Sequence, residues 1–141
     1  MRYLRFFLLA AAWWVWVSAS GRAADIKVIA NSSVKASEIS SEELKRVFLV
    51  KMSSLDDGSH VEPVLERGGA THETFLKQYL GKTDAALSTY YRSLVFTGKG
   101  SMPKILGSDA EVAAYVAKTR GAIGYVSAGA SAPGAKALAV R

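Results

Sequence analysis

The stretch "SDAEVAAYVAKTRGAIGYVSA", residues 108–128, joins a helix to a strand with almost nothing between them. Ser108 and Glu111 have the spacing of a capping box, Gly121 is placed to end the helix, and Lys118 and Arg120 suit its negative end. "AIGYVSA" then reads as a short apolar strand. The same alternation recurs along the chain. "DIKVIAN" alternates and is rich in β-branched residues, which predicts a buried strand over 26–30. "ISSEELKRVFLVK" predicts a helix with Ser40 as N-cap, Glu43 closing a capping box, and Leu44, Val47 and Phe48 on the apolar face. A turn at Asp57-Gly58 precedes a strand over 61–65, where Pro63 indicates an edge or a strand start. Next comes a helix with Phe75, Leu76, Tyr79 and Leu80 on one side, stopping at Gly81. Thr83 caps another, with Leu87, Tyr90, Tyr91 and Leu94 at helical spacing. "TGKGSMPKIL" reads as irregular loop and "KALAVR" as a last strand. Strands alternating with helices predict an α/β domain with a partly parallel sheet.

The first 24 residues are excluded from that domain. Arg2 and Arg5 precede an apolar run over 6–17, and small residues stand at Ala23 and Ala24. This is the pattern of a cleaved secretory signal. Twelve apolar residues fall short of the roughly 20 a membrane-spanning helix needs, so no span is expected after cleavage. The remaining 117 residues are enough for one domain with its own core. The chain has no cysteine, which excludes disulfides and thiolate metal sites; export without disulfides fits a bacterial periplasm. The net charge of +6 includes Arg2, Arg5 and Arg22. The other basic residues are scattered, so no nucleic-acid stripe is present, although a mildly basic surface attracts small anions.

"LERGGATHETFLKQYLG", residues 65–81, holds the most informative candidate site. A helix N-terminus carries unpaired amides and a partial positive charge, so it takes an anion without special side chains. The expected donors are the amides of Ala70, Thr71 and His72, the Thr71 hydroxyl and the Arg67 guanidinium, and Gly68 and Gly69 allow close approach. The competing reading is plain capping by Thr71, with Glu73 in the positive first turn. Glu66 and Glu73 also flank the site and would repel phosphate.

Four stretches in order, "SSEELKRVFLVK", "DGSHVEPV" followed by "GGATHETF", "LVFTGKGSMP" and "EVAAYVAKTRGAIGYV", resemble the periplasmic phosphate-binding proteins of ABC transporters and their short relatives. The resemblance implies one lobe of a type 2 periplasmic-binding-protein-like fold, a mixed sheet flanked by helices, over 25–141. In that family phosphate sits between two lobes, cradled partly by a serine-glycine-threonine helix entrance and a nearby arginine. Gly68 and Thr71 keep the residue types of that motif here. Gly69 stands for the serine, Ala70 for the glycine, and Arg67 lies one place after the usual arginine position, which Glu66 occupies. The implied function is weak binding of phosphate or a similar oxyanion at Arg67, Gly68, Gly69, Ala70 and Thr71, with a membrane transporter or sensor as partner. The alternative is a ligand-free interaction module for a membrane sensor, a porin or a second copy.

Other candidates are weaker. Ser32 and Ser33 follow the first strand, where open α/β sheets place ligand loops. His60 and His72 are the only histidines; their surroundings lack metal-ligand spacing, and His72 is expected solvated in a first helical turn. Asp56-Asp57-Gly58 reads as a turn, and Gly98-Lys99-Gly100-Ser101 as a loop without a P-loop's helix cap. No paired nucleophile and base is evident, so neither catalytic residue, cofactor nor metal is expected.

Overall fold

The computed structural model describes residues 25–141; the expected signal segment lies outside them. Strand β1 (Ile26–Asn31) is followed by a two-residue strand β2 (Glu38–Ile39), helix α1 (Ser41–Phe48) and strand β3 (Glu62–Glu66). Helix α2 (Gly69–Phe75) continues into a π-helical turn (Leu76–Leu80), then come α3 (Asp84–Phe96), β4 (Lys104–Leu106), α4 (Asp109–Lys118), β5 (Ala122–Ser127) and β6 (Ala135–Val140). The six strands form one sheet in the order β2-β6-β1-β5-β3-β4. β1 runs antiparallel to β5 and β6, while β3 is parallel to both β4 and β5. The sheet is mixed.

Strand alternation divides the apolar residues between two faces. Val28 and Ala30 of β1, Leu65 of β3 and Ile123 and Tyr125 of β5 join the larger core with Phe48 of α1, Phe75 of α2 and Leu87 and Tyr91 of α3. Ile29, Val64, Ala122 and Val126 point the other way, onto Val112, Ala113 and Val116 of α4. Gly124 lets α4 approach that closely: a Cβ there would lie 3.0 Å from Val112 Cγ1.

Local signals act as read. Ser40 accepts the Glu43 amide while the Glu43 carboxylate accepts the Ser40 amide. The Asp57 carboxylate accepts the Ser59 amide at 2.8 Å and closes the expected turn. The differences come from tertiary context. Residues 104–106 form strand β4 instead of loop, because β3 offers an open edge to pair with. β3 lies between β5 and β4, and Pro63 is tolerated because β4 pairing starts only at Val64. At the second capping box, Glu111 turns back to the Gly107 amide (2.6 Å) and not to that of Ser108. Thr71 does not cap its helix: α2 starts two residues before it, from Gly68, and no side-chain cap is made.

Candidate functional site

The parallel strands β3, β4 and β5 end along one edge of the sheet, the edge at which open α/β sheets place ligands. The turn from β3 into α2 crosses this edge. It is anchored by the Arg67 amide, which donates to Leu106 O at 2.7 Å. Gly68 and Gly69 then take φ of +66° and +87°, values that L side chains rarely adopt. Among the described residues no protein group accepts a hydrogen bond from the amides of Gly68, Gly69, Ala70 or Thr71. Arg67, Gly68, Gly69 and Ala70 are exposed and Thr71 is half-buried. The structure thus brings these five residues together at one open turn. A cavity of about 140 Å³ lies beside it, between Leu65, Arg67, Gly68, His72, Asp84 and Met102.

Beneath the turn is a polar network that the sequence reading missed. His72 is not solvated but 2 % exposed. Starting α2 at Gly69 puts His72 one turn before Phe75 and Leu76, on the face that meets the sheet. The Glu66 amide donates to the Tyr125 hydroxyl at 3.0 Å, and that hydroxyl is bonded in turn to His72 Nδ1. The Asp84 carboxylate can only accept, so His72 Nε2 carries a hydrogen and donates to Asp84 Oδ1 at 2.7 Å. Burial pushes the Tyr125 hydroxyl above its ordinary range, so it stays a neutral donor. Phe75 stacks on its ring at 3.9 Å. The network ties β3, α2, α3 and β5 together under the site. The visible clue is that His72 continues the stripe of Phe75, Leu76 and Tyr79 at helical spacing.

Glu66 departs from expectation as well. As the neighbour of Leu65 in a strand it faces α4, away from the larger core, and it is 7 % exposed. Burial, followed by a hydrogen bond to Asp109 and that group's charge, raises its carboxyl to about 8. Burial also pushes Asp109 up, but hydrogen bonds from Ser127 and Glu66 and the charge of Lys27 bring it below its usual value. At neutral pH the two form an acid–carboxylate pair with one proton, so Glu66 places little negative charge beside residues 67–71.

Ser32 and Ser33 lie elsewhere. β1 is antiparallel to β5, with Ala30 opposite Ile123, so these serines sit at the other end of the sheet. Ser33 Oγ accepts the Gly121 amide at 2.9 Å, a bond that closes the α4–β5 junction. The serines and the β3–α2 turn form no common site because the sheet's length separates them. His60 is also remote from the turn and pairs with Glu62 at 3.1 Å.

A mixed sheet with helices on both faces and an open turn at the ends of its parallel strands is an open α/β arrangement. The fold is similar to part of that of solved phosphate-transporter substrate-binding proteins. A protein from Clostridium perfringens described as a phosphate ABC transporter substrate-binding protein, solved with bound phosphate, matches with a TM-score of 0.63 and 16 % identity, over 82 % of this chain and 44 % of its own. An ABC-type phosphate transport receptor from Vibrio cholerae matches at 0.62 and 14 %, over 82 % and 46 %. PstS from Borrelia burgdorferi matches at 0.63 and 14 %, over 83 % and 47 %. The chain thus spans less than half the length of these structures. No family model matches the sequence, and neither does any curated protein. Among the described residues no helix is long and apolar enough to cross a membrane.

Proposed function

We propose that residues 25–141 form a non-enzymatic substrate-binding-protein-like domain, delivered to the periplasm by residues 1–24, that takes phosphate or a similar small oxyanion weakly at residues 67–71. The observation that carries this reading is the set of unpaired amides from Gly68 to Thr71, open to solvent at the ligand-bearing edge of this fold. Glu66, turned toward α4 and mostly protonated, removes one of the two charges that oppose an anion there; Glu73 remains.

Magnitude sets the affinity. Three or four charge-assisted hydrogen bonds contribute about 1.5–3 kcal/mol each. Association costs about 4–15 kcal/mol in lost freedom, and the open turn does not exclude water. The middles of these two ranges nearly cancel, so binding at millimolar levels or weaker is expected. Amide chemical-shift titration with phosphate and with sulfate tests this. Saturable shifts centred on residues 68–71 support the site; none at about tens of millimolar anion removes it.

A second reading is favoured by that same openness: a lobe without its counterpart, offering this edge to a transporter, a membrane sensor, a porin or a second copy. It predicts that variants at Arg67 and Thr71 disturb complex formation with such a partner while phosphate has no effect on the free domain.

A further inference from the structure

The large apolar side chains that stand exposed among the described residues are Val95, Phe96 and Met102, and all lie between the last turn of α3 and the start of β4. Phe96 is 92 % exposed. Its exposure is built in. Arg92, Val95 and Phe96 occupy positions i, i+3 and i+4 of α3 and share one face, while Leu87, Tyr91 and Leu94 turn to the core. The turn that follows is closed by hydrogen bonds from the Gly98 amide to Val95 O at 3.2 Å and from the Lys99 amide to Leu94 O at 2.9 Å. Gly98 supplies the positive φ (+68°) that this helix ending requires. Gly100 then packs against Val50 and Leu94. A hydrogen-bonded helix end therefore holds the phenyl ring outward.

Charge identifies what the ring meets. Residues 85–108 contain Arg92, Lys99 and Lys104 and no Asp or Glu. Lys51, exposed, follows Val50 in the turn after α1. Lys104 lies over the Tyr115 ring, 5.7 Å from its centroid. Glu62, which shares a groove with Met102 and Pro103, is paired with His60, and Asp84 and Glu66 meet Met102 only across the cavity on its other side. An apolar point with a basic collar suits a surface that is negative outside and apolar just beneath. We propose that the C-terminal end of α3 docks on an anionic lipid bilayer, with Phe96 and Val95 entering the interfacial layer and Arg92 and Lys99 meeting headgroup phosphates. A bilayer accommodates a protruding ring without a matching pocket, which a protein partner would have to supply. The contact lies at the far end of α3 from Asp84, about 18 Å by helical rise, so it does not depend on the oxyanion reading.

The test is co-sedimentation of residues 25–141, the chain left once the expected signal segment is removed, with vesicles of equimolar phosphatidylglycerol and phosphatidylcholine, and with phosphatidylcholine alone. The expected result is binding to the anionic vesicles only, reversed by salt. Phe96→Ser should weaken it about tenfold and Lys99→Glu about fivefold or more. Both positions are on the surface, so circular dichroism melts should match the wild type. Failure to sediment with anionic vesicles overturns the proposal, as does binding that neither variant changes. A concentration-dependent dimer in sedimentation velocity that Phe96→Ser abolishes also overturns it, by assigning the patch to a second copy.

Discussion

Glu66→Gln tests the acid–carboxylate pair through the pH dependence of stability. Glu66 titrates at about 8 in the folded chain, against an ordinary value of 4.5. Between these values the unfolded chain ionises Glu66 while the native state keeps the proton, so unfolding releases a proton. Native stability from this group is therefore complete below 4.5, falls as pH rises through the window, and declines no further above 8. One proton gives a slope of at most about 1.4 kcal/mol per pH unit, hence a few kcal/mol across the window. Asp109, held below its ordinary 3.8, acts oppositely: its contribution is complete above that value and is lost as pH falls through the lowered native one. The pair as a whole is most stabilising near about pH 4–5. Glutamine keeps the shape, donates an N–H toward Asp109 and cannot ionise. Urea unfolding at about pH 5, 7 and 9 should show the wild type losing stability and the variant staying nearly flat, with the variant the more stable by about pH 9. Parallel pH profiles for the two proteins would refute the reasoning, because Glu66 would then be ionised in both states.

Three further outcomes follow from the same geometry. Tyr125→Phe removes the hydroxyl that accepts the Glu66 amide and bonds His72, leaving two buried polar groups unpaired; denaturant unfolding should show a loss of about 2–4 kcal/mol. Thr71→Ala should change stability by less than about 0.5 kcal/mol, since Thr71 makes no cap, while shrinking any phosphate-induced shifts at residues 68–71. A thermal-melt loss above about 1 kcal/mol would restore the cap reading of Thr71. Gly124→Ala puts a methyl 3.0 Å from Val112 Cγ1 and should cost about 1–3 kcal/mol by denaturant unfolding, with α4 displaced from the sheet.

The helix entrance was legible because its ingredients are contiguous: two glycines, a threonine and an arginine within five residues. Its surroundings were not. Nothing near His72 in the chain indicates Tyr125, which is 53 residues away, or that Asp84 would take the other ring nitrogen. Glu66 looked like a repelling charge because its partner Asp109 comes from α4, more than forty residues further along the chain. Lys104, Ile105 and Leu106 are too few to announce a strand, and only β3 alongside makes them one.

By itself the sequence determined what depends on neighbours three or four residues away: the caps at Ser40 and Thr83, the helical stripes, and the apolar run of β5. These are hydrogen bonds and periodicities made within a single segment, so tertiary context hardly alters them. The tertiary structure alone decided which polar groups lose water, which carboxyl keeps its proton, and which amides stay unpaired. Desolvation and pairing are set by elements brought together from distant parts of the chain, and the local pattern contains no record of them.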